Sequence, residues 1–263
     1  MRKAKASQRS SAAARCLEIL RILSCAEEDL SLLQVAESVN LHASTVHRLL
    51  LPLLELGFIE QQNDSRYRVG LEAIAVGSGF LRRSPIRRAA LPFMMRLSEQ
   101  TRLTVNLGFW GKGKVVIVDC LPMPGTNAFY ESGNVVPAHA TAIGKALLAH
   151  RGKSALRTIG PLDRYTEHTI CTMEALEAEI ALALKAGFAV DNEEAMLGCR
   201  CLAAPILLDG LEPQAAVSLT GPAAMVDDAT LKELSGMLKD RCANIAMQMN
   251  SRLRTAAVTS LNR

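Results

Sequence analysis

Two groups of residues in this 263-residue chain have the types and spacing to do chemistry. The first lies between positions 44 and 68. Ser44, Thr45, His47 and Arg48 fall on the outward positions of a short amphipathic helix. They offer hydroxyls, an imidazole and a guanidinium, with no carboxylate to repel a phosphate. Arg48 has the fork that reads guanine through two parallel hydrogen bonds, and Ser44 and Thr45 suit a phosphate or a thymine methyl. Arg66 and Arg68 sit on a hairpin, where they would touch a nucleic-acid backbone or minor groove. The second group lies between 141 and 220. Thr141-Ala142-Ile143-Gly144 opens a helix, where free amides and the helix dipole attract anions. Ser218 and Thr220 share one face of a strand, and Cys199 and Cys201 do the same on theirs. Hydroxyls, a thiol and helix-start amides around one concavity suit a small carboxylate or oxo acid. Each residue also has an ordinary reading. Exposed Ser and Arg are commonly just solvated, strand Ser and Thr bond locally, and Cys packs as a small hydrophobe.

A third chemistry is open to the same cysteine. Cys201 as nucleophile with His139 as base would make a thiol enzyme. Against it, Cys201 has no helix-start signal of its own and no orienting third group, so no enzyme activity is expected. Cys199-Arg200-Cys201 is a C-x-C, without the paired C-x-x-C spacing of a zinc site, and no metal or other cofactor is expected. The seven cysteines are scattered and odd in number. With no export signal in the basic N-terminus, they point to reduced thiols in a cytoplasmic protein.

The elements that must position these groups are legible as periodicity. Cys16, Ile19, Leu20 and Leu23 mark a helix over 12–24. Ser31-Leu-Leu-Gln34 is a capping box that opens a second helix with Leu32, Val35, Ala36 and Val39 inward. After a short break at Asn40 and Leu41, a third helix runs from 42 or 43 to 56 with Val46, Leu49, Leu50, Leu53 and Leu54 inward, and Gly57 stops it. Pro52 should kink or loosen that helix after the reading residues. Phe58–Gln61 and Arg66–Val69 around an Asn-Asp-Ser turn form a hairpin. Three helices and a hairpin in about 60 residues make a winged helix-turn-helix, whose third helix would lie in a DNA major groove. Residues 71–88 read as a connecting helix, in which Ala73 and Gly77 would admit a close neighbour. Beyond it come a helix to about residue 100, strands over 104–110 and 115–119, a strand over 127–132, and a loop from Pro137 leading into a helix to Ala149. Helix 173–186, strands 188–191, 201–208 and 215–220, and a last helix from Asp227 follow. The seam of that last helix is Leu231, Leu234, Leu238, Cys242, Ile245 and Met249, and the chain from Arg252 reads as a frayed tail. Hairpins alternating with helices argue for an antiparallel sheet covered by helices, an α+β fold.

Charge divides the chain the same way. The net +4 lies wholly in residues 1–90, which hold 13 basic and 9 acidic side chains against 17 and 17 in the remainder. Arg2, Lys3, Lys5 and Arg9 form a basic tail, and Arg82, Arg83, Arg87 and Arg88 a second cluster, so the front end is the one suited to a polyanion. With 49 % hydrophobic and 21 % charged residues the composition is that of a globular protein, excluding a disordered chain. No apolar run reaches the ~20 residues of a membrane helix, and no membrane partner is expected. Aromatics are only 4 %, so Phe109, Trp110, Phe129 and Tyr130 stand out as cavity-wall or core residues.

Several stretches resemble the IclR family of bacterial transcription regulators, over roughly residues 10–250. Ser44-Thr-Val-His-Arg-Leu-Leu50, Leu56-Gly-Phe-Ile59 and Arg66-Tyr-Arg-Val-Gly70 resemble its recognition helix and wing. His139–Ala146, Gly187–Glu194, Gly198–Pro205 and Val217–Pro222 resemble its effector-domain signatures, in order and at matching intervals. Pro52 and Cys199 depart from the commoner residues. The resemblance implies a DNA-binding domain over 1–70, a connecting helix over 71–88, a GAF-like effector domain over 89–251 and a tail over 252–263. It implies a homodimer through the DNA-binding half, often a dimer of dimers, with double-stranded operator DNA and a small-molecule effector as partners. The effector would lie among Thr141, Ala142, Ile143, Asp191, Cys201, Ser218 and Thr220. An effector-independent DNA-binding protein is the remaining alternative.

Overall fold

The computed structural model describes residues 11–123 and 129–261, with side chains through residue 251. The basic tail at Arg2, Lys3, Lys5 and Arg9 lies outside the described residues. The chain divides into two compact units at Arg83 and Ser84.

The first unit is a winged helix-turn-helix. Helix α1 (Ala12–Cys25) buries Ile19 and Leu23. Helix α2 (Leu32–Val39) opens on the expected capping box: Ser31 Oγ accepts from the Gln34 N–H at 3.3 Å, and Gln34 Oε1 accepts from the Ser31 N–H at 2.8 Å. Asn40 turns the chain in the left-handed region (φ 50°), a conformation asparagine tolerates. Helix α3 (Ala43–Glu55) then buries Val46, Leu50 and Leu53. The helical span of α3 continues past Pro52 to Glu55. The carbonyl that Pro52 leaves without a donor belongs to exposed Arg48, where water can satisfy it. Strands β1 (Ile59–Gln61) and β2 (Tyr67–Val69) form the wing, and Tyr67 also bridges Leu30 through two backbone hydrogen bonds.

Helix α4 (Leu71–Arg83) buries none of its residues. The expected single helix over 71–88 is corrected here. Ser84 is extended and its Oγ caps Arg87 N–H at 3.2 Å, with Pro85 at the first helical position, so α5 (Pro85–Thr101) is a separate helix that carries Arg87 and Arg88.

The second unit is built on one six-stranded antiparallel sheet. Its strands are β3 (Thr104–Gly111), β4 (Lys114–Leu121), β5 (Val135–Pro137), β6 (Ala189–Asn192), β7 (Cys199–Pro205) and β8 (Ala215–Pro222), in the order β5-β4-β3-β8-β7-β6. The strand expected over 127–132 is not formed within its described residues. Residues 131–134 make a turn in which Glu131 N–H donates to Asn134 Oδ1 at 2.8 Å; Gly133 and Asn134 already bond the backbone of Ile117 on β4, and the strand itself starts at Val135. Helices α6 (Ala142–Leu156) and α7 (Met173–Ala186) cover one face. Helices α5 and α8 (Asp228–Leu261) cover the other. Alternation sorts the strands between them: Val217 and Leu219 face α8, while Ala216 joins the α6 side. All six seam residues expected for the last helix are buried, and its backbone stays helical to Leu261 rather than fraying at Arg252.

Two glycines bring the start of α6 onto the sheet. A Cβ at Gly108 would lie 2.8 Å from Ile143 Cγ2, and one at Gly144 would lie 2.3 Å from the Ala138 backbone. Only hydrogen fits at either place, and the result is a helix N-terminus seated above the middle strands.

Candidate functional site

On the front unit, Ser44, Thr45, His47 and Arg48 are all exposed on the first turns of α3. No side chain caps the start of α3. The ion pairs among the described residues of this unit are Arg15–Glu18, Arg66–Asp64 and Arg68–Glu60, which leaves Arg48 unengaged. The two wing arginines are tied down more than their spacing suggested. Arg66 Nη1 donates to the Asp29 carbonyl at 2.9 Å, and Arg68 donates to Glu60 Oε2 from both Nε and Nη2 at 3.2 and 2.9 Å. Both still expose their side chains, at 40 % and 51 %, so they shape the wing while leaving a positive edge.

In the second unit the strand register collects the other group. Asp191 pairs with Cys201, Cys201 with Thr220 and Thr220 with Thr104, giving one row across β6, β7, β8 and β3. The adjacent row runs Ala203, Ser218, Asn106. Directly opposed residues point to the same face. Above them Thr141 caps α6: its Oγ1 accepts from the Gly144 N–H at 3.3 Å and donates to the Pro137 carbonyl at 2.7 Å. All seven residues expected around the effector, Thr141, Ala142, Ile143, Asp191, Cys201, Ser218 and Thr220, line a single cavity, closed by Ile117, Tyr130 and Val136. Its free volume is about 10 Å³, the size of one water molecule, so a larger ligand must push the wall side chains apart. Tyr130 alone of the four aromatic candidates lines it. Phe109 packs on the α5–α8 side of the sheet, and Trp110 and Phe129 pack into the α6–α7 core.

The charges beneath the cavity are buried. Asp191 is 1 % exposed, and its Oδ1 accepts from the Glu194 and Ala195 N–H groups at 2.8 and 3.3 Å. Burial raises its pKa to about 7, against the lowering effect of those two amides and of Lys145. Lys145, fully buried on α6, donates to Glu194 Oε1 at 2.5 Å and to Glu179 Oε1 at 3.4 Å. Burial likewise raises the Glu194 pKa. Lys145 and its ion-pair partner Glu194 escaped the sequence reading. One signal was available for the lysine. Ala142–Ala149 is apolar on every side, a pattern of buried helices, so its single charge had to be buried and paired.

The geometry separates the two parts of a thiol catalyst. Cys201 is buried with its Sγ 3.8 Å from Cys199 Sγ, and the contact with Cys199 together with burial pushes the thiol pKa up, away from the reactive thiolate. His139 lines a different cavity, with its Nε2 bonded to the Asp163 carbonyl at 3.0 Å and its ring against Tyr165. All seven cysteines are free, and no group of three metal-ligating side chains occurs among the described residues. Nor is any described helix long and apolar enough to cross a membrane.

A winged helix-turn-helix followed by a GAF-like effector domain defines a two-unit DNA-binding regulator. Comparison with known proteins places it more narrowly. Residues 12–63 match the IclR helix-turn-helix domain, and residues 78–247 match the bacterial transcriptional regulator IclR C-terminal domain. The HTH-type transcriptional regulator BhcR of Paracoccus denitrificans is 34 % identical, over 90 % of this chain and 87 % of that protein. The transcriptional repressor IclR of Escherichia coli is 30 % identical, over 85 % and 84 %. An IclR homolog from Microbacterium hydrocarbonoxydans, crystallised with 4-hydroxybenzoate, shares the fold with a TM-score of 0.75 and 24 % identity, over 92 % of this chain and all of that one. The chain belongs to the IclR family of bacterial transcriptional regulators. Members of that family bind operator DNA and small-molecule effectors.

Proposed function

We propose that this protein is a ligand-responsive regulator that reads operator DNA with α3 and senses a small carboxylic or oxo acid in the cavity at the start of α6. The observation that carries the reading is convergence. Seven residues spread over 80 positions, on one helix start and three strands, face one concavity of hydroxyls and amides. DNA contact falls to Ser44, Thr45, His47 and Arg48, with Arg66 and Arg68 holding the wing. The boundaries 1–70, 71–88, 89–251 and 252–263 remain the working division, adjusted by the helix break at Ser84. Helix α4 would relay the signal, because a ligand shifts operator affinity only by favouring one arrangement of the protein over another. The exposed Leu71, Ile74 and Val76 on α4 support a homodimer through this helix, and a dimer of dimers is an extension of it. A cytoplasmic location accords with seven free thiols.

The test is a thermal-shift screen of aliphatic and aromatic carboxylates, with each hit repeated in a gel shift on the DNA upstream of the gene. A stabilising acid that changes the gel shift supports the reading; DNA binding that no acid alters leaves an effector-independent binder. Arg48→Ala should cost about 1–3 kcal/mol of operator affinity and relax preference at one base pair. Unchanged affinity would place the reading residues elsewhere.

A further inference from the structure

Asn106 does not line the cavity, yet it decides what two of the lining residues offer. It stands on β3 opposite Ser218 and is fully buried. Its Nδ2 donates to Ser218 Oγ at 3.2 Å and to Thr220 Oγ1 at 3.1 Å. An amide nitrogen has two hydrogens, and both are used here. Each hydroxyl oxygen therefore accepts from below, and each hydroxyl proton is left to point away from Asn106. Ser218 and Thr220 both line the cavity, and the Thr220 hydroxyl also meets the Cys201 thiol. The arrangement carries a cost, because Asn106 Oδ1 is buried with no partner. An orphan acceptor destabilises the fold, and an apolar side chain of the same shape would avoid that cost.

We propose that Asn106 is the specificity-determining residue of this cavity, setting Ser218 and Thr220 as hydrogen-bond donors so that the site selects a carboxylate over its neutral amide. The inference rests on the ligand-site reading above and names the chemistry of that ligand. The other groups agree with it. Ala142 and Ile143 line the same cavity, and their N–H groups lie in the first turn of α6, where no intrahelical acceptor exists. No lysine or arginine lines the cavity; Lys145 is turned away onto Glu194 and Glu179. An anion here is held by two hydroxyls and two amides rather than by a counter-ion. Asp191 joins that set when it carries a proton, since its Oδ1 is already occupied by two amides.

The experiment compares isosteric pairs on the full-length protein by calorimetry at fixed ionic strength: acetate with acetamide, lactate with lactamide, and 4-hydroxybenzoate with 4-hydroxybenzamide. Wild type should prefer the carboxylate of the pair it binds by about tenfold or more, the scale of a charge-assisted hydrogen bond. Asn106→Asp keeps the shape but accepts where the amide donates. It turns both hydroxyl protons downward, and the preference should collapse or reverse. Asn106→Leu, which buries no charge, should reduce the preference without reversing it. Ser218→Ala, with Asn106 intact, should weaken the carboxylate about tenfold and the amide less. The ratio within a pair is read on one folded protein, so a loss of stability alone does not move it. If Asn106→Leu and Asn106→Asp keep the wild-type ratio, or if wild type binds both members equally, the donor assignment is wrong while the cavity remains a ligand site. If no pair binds at all, the site reading falls with it.

Discussion

Asp191 and Lys145 show how much of this site is decided by single buried charges. Asp191 faces Lys145 from α6, Glu194 and Ala195 from the following loop, Tyr130 from the turn before β5, and Cys201 from β7. With its pKa raised to about 7 by burial, it is protonated below that value and ionised above it. A protonated carboxyl can donate to an anionic ligand; an ionised one repels it. The dissociation constant of a bound carboxylate should therefore be flat between the ligand's own carboxyl pKa and about pH 7 and rise about tenfold per pH unit above it. Calorimetry across pH checks this, and Asp191→Asn should flatten the curve. Lys145 makes the complementary prediction. Lys145→Met leaves the Glu194 carboxylate buried without its ammonium, which costs about 3–5 kcal/mol and should appear as a fall in melting temperature. At this scale the sequence disclosed the lining residues but not their support. Thr141, Ser218 and Thr220 announce themselves by position on a helix start or a strand face. Asn106 acts through another strand, 112 positions away at Ser218, and spacing along one strand carries no trace of that pairing.

At the scale of elements, what local chemistry dictates was legible and what tertiary packing dictates was not. The capping box at Ser31 and Gln34, the Met173–Ala186 helix and the seam of α8 follow from short-range pattern, and the structure reproduces them. The misread elements differ in cause, and the first was a local signal passed over, the Ser84 cap with Pro85 behind it. The 71–88 helix was continued past Ser84 because Pro85 was not taken as the first residue of a new helix. The strand placed over 127–132 belongs at 135–137, where an edge strand of three residues is too short for alternation to register. One element carries a direct test. Ser31→Ala removes the hydroxyl that accepts from Gln34 N–H and releases the reciprocal bond, so the front unit should lose about 1 kcal/mol. Exchange protection of the Tyr67 N–H, bonded to the Leu30 carbonyl in the wing, followed against denaturant, reports on that unit. An unchanged midpoint would mean that packing of Val35, Ala36 and Val39 alone sets the start of α2.

Over the whole molecule, sensing and reading occupy cores that do not mix. Ile19 to Tyr67 form one cluster in the front unit, and both clusters that sandwich the sheet fall between Ala89 and Met249. Each unit therefore has its own apolar interior, the physical condition for folding alone. The charge asymmetry of the sequence does not follow this division: Arg87 and Arg88 belong to the second unit, so the excess of four positive charges splits evenly between the two. A fragment beginning at Ser84 should fold cooperatively and keep the ligand-induced rise in melting temperature, because every residue lining the cavity lies between Ile117 and Thr220. The same fragment should not bind operator DNA, since Ser44, Thr45, His47 and Arg48 are gone. Regulation is the property that should vanish when the units are parted: ligand should alter operator affinity in the full chain only, because neither fragment contains both halves of the linkage. Mixing the isolated fragments and finding ligand-dependent DNA binding restored would show that covalent connection through α4 is dispensable.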